Sequence, residues 1–381
     1  MNRAYLYRLY PNKEQDFKLD GLLKIARELY NSCLAERKYA YKMQGVSLNF
    51  YDQCNELSEL KKCIPELALL NAQAAQDLLH RLDKAFKNFF RRVKKGEKPG
   101  YPRFKGRNQF HSITFPTYGD GCKLKGGKLY VRNAGLLKIK MHRELDGQIK
   151  TVTIKRENDK WYAVFCCEVE PEPLPQSDNE VGIDVGIEYF AVTSDGEFIE
   201  NPHYLRVSED RLKRAQRKVS RRKKGSHNRR KAVKLLAKQH QKIRNQRKDF
   251  QHKVASEIVK QYGYIAVEKL KVKNMEQNHH LAKSINDVSW SQFFDMLAYK
   301  AEWAGRKFVK VNPNGTSQRC SVCGTVVKKS LGVRVHDCPN CGVILQRDYN
   351  SALEILALGR SVWGVTWNRS SCVPQEAVCF S

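Results

Sequence analysis

Val181-Gly-Ile-Asp184-Val-Gly186 sets an acid inside an apolar strand. A carboxylate there is costly unless something supplies the opposite charge. Tyr189-Phe-Ala-Val-Thr193 and Glu197-Phe-Ile199 follow, so three short strands joined by tight turns are expected. Two further acids sit at the edges of apolar elements. Glu268 ends Tyr264-Ile-Ala-Val-Glu268, and Asp348 follows Gln346-Arg347 where Tyr349-Asn-Ser-Ala-Leu-Glu-Ile355 reads as the start of a helix. Three such acids suit a divalent-cation site, because oxygen ligands favour Mg²⁺ or Mn²⁺ and the cation offsets their mutual repulsion. Two ions at such a site can activate water and stabilise the leaving oxygen of a phosphodiester. Each acid also has a plainer reading, as an N-cap for Asp348 or a strand-end salt bridge for Glu268. The pattern leaves open whether the three meet in space.

Around these acids the second half of the chain reads as mixed strand and helix. Lys307-Phe-Val-Lys-Val311 is a further strand, and Trp290, Phe293, Phe294, Leu297 and Ala301 recur at helical spacing. Between Arg211 and Lys248, 18 of 38 residues are Lys or Arg and none is acidic. Val233, Leu236, Ala237, Ile243, Phe250, Val254 and Ile258 still recur helically, which predicts a long basic helix or a helical hairpin broken near Gly225-Ser226. So dense a run of cations is better matched to phosphate than to a merely solvated face. Cys320-x2-Cys323 and Cys338-x2-Cys341 supply four soft ligands in two knuckles, each followed by glycine. That pattern predicts a closed, structural tetrahedral zinc site. His279, His280 and His336 are assigned no metal role.

The first half opens with Arg3-Ala-Tyr-Leu-Tyr-Arg-Leu-Tyr-Pro11, which reads as a strand stopped by proline. Phe17 to Met43 reads as helix. A second helix carries the stripe Ala75, Leu78, Leu79, Leu82, Phe86, Phe89 and Phe90, with a basic face of His80, Arg81, Lys84, Lys87, Arg91 and Arg92 opposite. Tyr101-Pro-Arg-Phe-Lys-Gly-Arg107 is a basic, aromatic loop. From His111 to Val169 the pattern changes to short strands, including a hairpin over Gly126-Gly127 and a turn at Glu157-Asn-Asp159. These predict a small β-barrel or sandwich. Pro171, Pro173 and Pro175 mark a linker, and a domain boundary is expected near residue 178. No internal repeat is visible, and Ser361 to Ser381 has little periodicity.

At 381 residues the chain predicts two to three domains. It is 41% apolar and 29% charged, a balance that supports buried cores and excludes a disordered polymer. Lys plus Arg number 69 against 40 Asp plus Glu, a net charge of +29. That excess repels itself unless a polyanion takes up the field, so nucleic acid is the expected partner. No apolar run is long enough for a membrane helix, and the first residues lack the apolar stretch of a secretory signal. A cytosolic location is expected, where structural disulfides are unusual. Cys33, Cys54, Cys63, Cys122, Cys166, Cys167, Cys372 and Cys379 are therefore read as small buried hydrophobes or free thiols.

The ordered set Gly-Ile-Asp184-Val-Gly, Val-Glu268-Lys-Leu, Thr316-Ser-Gln-Arg-Cys-Ser-Val-Cys-Gly324 and Arg347-Asp348-Tyr-Asn-Ser-Ala resembles the TnpB (OrfB) family. That family is encoded by bacterial insertion sequences and is related to type V CRISPR effectors. Gln73-Ala-Ala-Gln76-Asp and Lys84-Ala-Phe-Lys-Asn-Phe-Phe90 extend the likeness over almost the whole chain; Ser351 stands where relatives often carry Ala. The resemblance implies an RNA-guided DNA endonuclease of a transposable element, cutting beside a short DNA motif by Mg²⁺-dependent (or Mn²⁺-dependent) hydrolysis. Asp184, Glu268 and Asp348 would be its catalytic residues and would hold two ions. Cys320, Cys323, Cys338 and Cys341 would hold one structural Zn²⁺.

The implied fold is a multidomain α+β protein. Residues 1–10 would be the first strand of a wedge-type β-barrel, 11–110 a helical recognition insert and 111–178 the rest of the barrel. An RNase H-like (RuvC) nuclease domain would span 179–311, with the basic segment 211–248, and resume at 346–360. The zinc ribbon would occupy 312–345 and a loose tail 361–381. Implied partners are a guide RNA from the transposon end and double-stranded target DNA, bound by a monomer in the bacterial cytoplasm on nucleoid DNA. Candidate nucleic-acid contacts are Gln73, Gln76, Lys84, Lys87, Arg103, Lys105, Arg221, Arg222, Lys223, Lys224, Arg229 and Arg230. Glutamine can read adenine edges in a major groove, although Gln73 and Gln76 are equally readable as polar helix-surface residues. Two alternatives share these residues: a nuclease-inactive RNA-guided repressor, and a transposase that transfers strands.

Overall fold

The computed structural model describes residues 1–270, 272–330 and 332–362. The chain divides into two compact units, Met1–Glu170 and Pro171–Ser381. Cys372, Cys379 and most of the tail expected to be loose lie outside the described residues. Ser361 and Val362, placed in that tail by their lack of periodicity, are instead the last two residues of a helix.

The first unit begins with β1 (Asn2–Tyr10) and three helices, α1 (Lys13–Gln44), α2 (Phe50–Cys63) and α3 (Ala72–Lys94). Asn12 and Gln15 form a reciprocal capping box that starts α1, and Gly45 stops it in the left-handed region at φ 67°. Six strands follow: β2 (Ser112–Phe115), β3 (Cys122–Lys125), β4 (Lys128–Val131), β5 (Gly135–Lys140), β6 (Gln148–Glu157) and β7 (Lys160–Glu168). The sheet order is β2-β6-β7-β1-β5-β4-β3, with every pairing antiparallel. Gly126 and Gly127 both have positive φ, the requirement of a two-residue type I′ hairpin; Asn158 and Asp159 meet it between β6 and β7. β1 sits in the middle of this sheet, and its alternation buries Tyr5, Tyr7 and Leu9 in the unit's core, with Tyr7 edge-on to Phe165 of β7.

The second unit contains β8 (Glu180–Asp184), β9 (Tyr189–Thr193) and β10 (Phe198–Glu200), then α4 (Tyr204–Val207), α5 (Glu209–Ser220) and α6 (His227–Gln261). After them come β11 (Tyr264–Glu268), α7 (Val272–Met275), α8 (His279–Val288), α9 (Trp290–Trp303) and β12 (Lys307–Val311). A short antiparallel pair, β13 (Val335–Asp337) and β14 (Ile344–Gln346), precedes α10 (Arg347–Val362). The main sheet runs β10-β9-β8-β11-β12. β8, β11 and β12 are parallel, β9 runs antiparallel to β8, and β10 runs antiparallel to β9.

This sheet is covered on both faces. Val181, Ile183, Ile265 and Val267 point into a core shared with α6 and α9, while Tyr264 and Ala266 point to α10. Gly182 lies on the α10 face, where an added Cβ would come within 2.1 Å of the Ala352 carbonyl oxygen. The helix backbone therefore rests directly on the strand.

The basic segment is the expected hairpin. α5 ends before Gly225, which takes φ +84°, and Ser226 caps α6 by accepting from the Arg229 amide. Its apolar periodicity is only half realised. Ile243, Val254 and Ile258 are buried, but Val233 is 44% exposed; the α6 residues that join the core under the sheet run from Phe250 to Val259.

Candidate active site and cysteine metal centre

Side-chain alternation decides where the acids go. Asp184 lies two residues beyond Gly182, and Glu268 two beyond Ala266, so both end their strands on the face that α10 covers. β8 and β11 are in parallel register, Ile183 beside Val267, which makes Asp184 and Glu268 neighbours at the same sheet edge. Asp348 occupies the first turn of α10, the helix laid across both strands.

Glu268 is 9% exposed and accepts a hydrogen bond from the Thr316 hydroxyl. Gln346 Nε2 donates to Asp348 Oδ2 at 3.3 Å, and Arg334 comes within 3.9 Å of that oxygen while pairing with Glu188 at 3.0 Å. Burial, then the fields of Glu268 and Asp348, hold the Asp184 carboxyl well above the usual carboxylate range. Burial likewise raises Glu268, with Thr316 pulling the other way. The fields of Glu268 and Asp348 thus both reach Asp184 at one edge of the sheet. Their charge and all-oxygen donor set fit a hard divalent cation.

The cysteines form a tighter group. Among the described residues they alone, of groups of three or more His, Cys, Asp or Glu, have all ligand atoms within 4.8 Å of one another. Asp184, Glu268 and Asp348 do not form a second such group among the described residues. Cys320 Sγ is 3.6 Å from Cys341 Sγ, and Cys323 Sγ is 3.5 Å from Cys338 Sγ. A tetrahedron with arms of about 2.3 Å has edges of about 3.8 Å, so the sulfurs fit zinc. Both knuckles fold alike: the Gly324 amide donates to the Cys320 carbonyl and the Gly342 amide to the Cys338 carbonyl, each at 2.9 Å. Burial opposes ionisation of Cys323, but hydrogen bonding with Thr325 and Asn340 outweighs it and brings that thiol down to about 5. Burial and the adjacent sulfurs push Cys341 up to about 12.

Two side chains tie this ribbon to the acid edge, and neither stands out in the sequence. Thr316 grips Glu268. Asn350, fully buried on α10 two residues past Asp348, accepts from the Ser321 amide at 3.0 Å and donates to the Arg319 carbonyl at 2.8 Å. Both lie inside the quoted motifs, yet their partners depend on tertiary contact and leave no local signature.

The candidate nucleic-acid residues are spread over both units. Gln73 is half-buried and Gln76 exposed in the first turns of α3; Lys84 and Lys87 are exposed further along it, Lys87 paired with Asp83 at 2.9 Å. Arg103 is exposed in the aromatic loop and Lys105 is half-buried there. Arg221, Arg222, Lys223 and Lys224 are exposed at the end of α5 and in the turn after it, and Arg230 is exposed on α6. Arg229 is committed to the turn, donating to the Val219 carbonyl at 2.7 Å and the Arg222 carbonyl at 3.2 Å.

Residues 164–279 match the family described as "Probable transposase", 290–355 the "Cas12f1-like, TNB domain" and 1–45 a "Helix-turn-helix domain". Over that last span the chain folds as β1 and the single helix α1. A Streptomyces pristinaespiralis protein named "Putative RNA-guided DNA endonuclease" is 35% identical, covering 94% of this chain and 90% of its own. Its Escherichia coli K12 counterpart, "Putative RNA-guided DNA endonuclease InsQ", is 30% identical over 94% of this chain and 93% of its own.

The chain belongs to the TnpB family. A solved Cas12f1–sgRNA–target DNA complex shares the TnpB-family fold seen here, with a TM-score of 0.58 at 19% identity. The match covers 90% of this chain and 83% of that one. With the Cas12f1-like match over the ribbon, this relates the TnpB chain to the type V effectors.

Proposed function

We propose that this TnpB-family chain is an RNA-guided DNA endonuclease of a transposable element, hydrolysing phosphodiesters at one site built from Asp184, Glu268 and Asp348. The observation that carries the reading is the placement of three acids at one end of the sheet: Asp184 and Glu268 end adjacent parallel strands, and Asp348 lies in the first turn of the helix laid across them. The names carried by relatives at 35% and 30% identity support the activity and its partners, a guide RNA and target DNA. The strand order supports an RNase H-like core: three strands antiparallel in sequence order, then β11 and β12 added parallel beside the first. In this reading β1 and residues 111–178 are the wedge domain, and residues 11–110 its recognition insert.

The three acids would hold Mg²⁺, which when bound supplies a Lewis acid for the attacking and leaving oxygens. Thr316 orients the Glu268 carboxylate, and Gln346 steadies Asp348. Arg334 places a cation beside Asp348, where an anionic phosphate would lie. The four cysteines would hold Zn²⁺ as a closed structural site, keeping the Thr316 arm and α10 in register. Gln73, Gln76 and the exposed cations of α3 and α5 would touch nucleic acid. With no protein nucleophile in the scheme, the products should carry 5′-phosphate and 3′-hydroxyl ends.

The test is cleavage of a supercoiled plasmid by the guide-loaded protein, with Mg²⁺ and with EDTA. Asp184→Ala should abolish cutting while RNA and DNA binding persist; substantial cutting by that variant would defeat the site. The family description as a transposase favours one second reading, strand transfer by the same acids. Joined products in the presence of transposon ends would establish it; breaks alone support hydrolysis.

A further inference from the structure

Residues 84–107 carry ten Lys or Arg and one acid, Glu97. On this basic stretch three large rings stand half in water: Phe90 at 56% exposed, Tyr101 at 44% and Phe104 at 49%. They are not loosely hung. Tyr101 stands edge-on to Phe86 and Phe89, with ring centroids 5.7 and 5.1 Å away. Lys38 Nζ lies 5.2 Å from the Tyr101 centroid and 4.5 Å from that of Phe104, so one ammonium bridges the two rings. The loop itself is pinned by Asn31, whose side chain donates to the Lys105 carbonyl at 3.0 Å and accepts from the Lys105 amide at 2.8 Å. Lys87 pairs with Asp83 and Arg107 with Asp20, yet the stretch keeps a large excess of cations around its exposed rings. Rings and cations together match two features of a polynucleotide at once, flat bases and a phosphate backbone.

We propose that Tyr101 and Phe104 form a stacking platform for unpaired bases of the RNA, with Lys38, Arg103 and neighbouring cations holding its phosphates. A second copy of this chain is the poorer occupant, since it would bring the same cations against themselves. RNA is preferred to DNA because, on the reading above, the guide is single-stranded before any target is opened. The platform rests on that reading only for its choice of strand, and its test is run in EDTA, apart from cleavage.

The experiment measures binding of a twelve-nucleotide oligouridine by the full-length chain at several KCl concentrations. Tyr101→Leu/Phe104→Leu should weaken binding about ten-fold or more while leaving the salt slope unchanged. Arg103→Gln should instead lower the slope by roughly one phosphate's worth. Phe104→Trp should retain affinity, and its added fluorescence should be quenched by the oligomer. Unchanged affinity in the double variant, or no quenching in the tryptophan variant, would overturn the proposal. So would binding of an equally charged duplex as tightly as oligouridine. Tighter binding of oligothymidine would overturn the choice of RNA, and self-association that the double variant abolishes would give the surface to a second copy.

Discussion

Asp184 shows how a single side chain can oppose the fold that contains it. Folding brings its carboxyl out of water and into the fields of Glu268 and Asp348, raising its proton affinity. A raised carboxyl contributes stability that is complete below the unfolded value, near pH 4, and is lost as pH climbs through the folded value. In EDTA, Asp184→Asn should therefore raise the melting temperature at pH 8 and leave it unchanged near pH 4. The shift should be about 2–4 °C for each kcal/mol of repulsion relieved. A melting temperature unmoved at pH 8 would contradict this account of the pocket. Thr316→Val should remove the hydroxyl from Glu268 and weaken Mn²⁺ binding by about 10–100-fold in calorimetry, with Thr316→Ser restoring it. At this scale Asp184 was legible because an acid in an apolar strand is conspicuous. Thr316 was not, because a threonine ahead of a cysteine knuckle gives no sign of which carboxylate it will meet.

Between elements, the decisive contact is α10 against β8. Gly182→Ala would put a methyl carbon 2.1 Å from the Ala352 carbonyl oxygen and 2.6 Å from the Leu356 amide nitrogen. Both are backbone atoms that cannot rotate away, so the helix must lift, taking Asp348 with it. The expected cost is about 1–3 kcal/mol in urea unfolding, with a larger proportional loss of cutting than of DNA binding. Turn chemistry made other elements readable: the Gly126-Gly127 hairpin and the break at Gly225-Ser226 both fall where φ must turn positive. The parallel register of β8 and β11 was not readable, since the strands are separated by β9, β10, α4, α5 and α6 and nothing local specifies their alignment. Nor was the uneven burial of α6. Its apolar repeat continues through Val233, beyond the part of the helix that rests on α9 and the sheet, and a repeat does not reveal where its partner stops.

Across the whole chain the net charge of +29 governs association. If six to ten phosphates are neutralised, raising salt from 50 to 200 mM should weaken nucleic-acid binding by roughly 10³–10⁵-fold. A filter-binding titration gives the slope directly, and a slope near zero would remove phosphate contact as the role of the basic hairpin. Composition alone was enough to point to a polyanion, whereas the division after Glu170 depends on which strands find one another. That pairing sets a timetable for biosynthesis. β1 leaves the ribosome well before its long-edge partner β7, which begins only at Lys160. At about 5–20 residues per second β1 waits on the order of ten seconds for its neighbour. Throughout that interval Tyr5, Tyr7 and Leu9 have no completed sheet to enter, leaving the newborn β1 segment for a chaperone to shield.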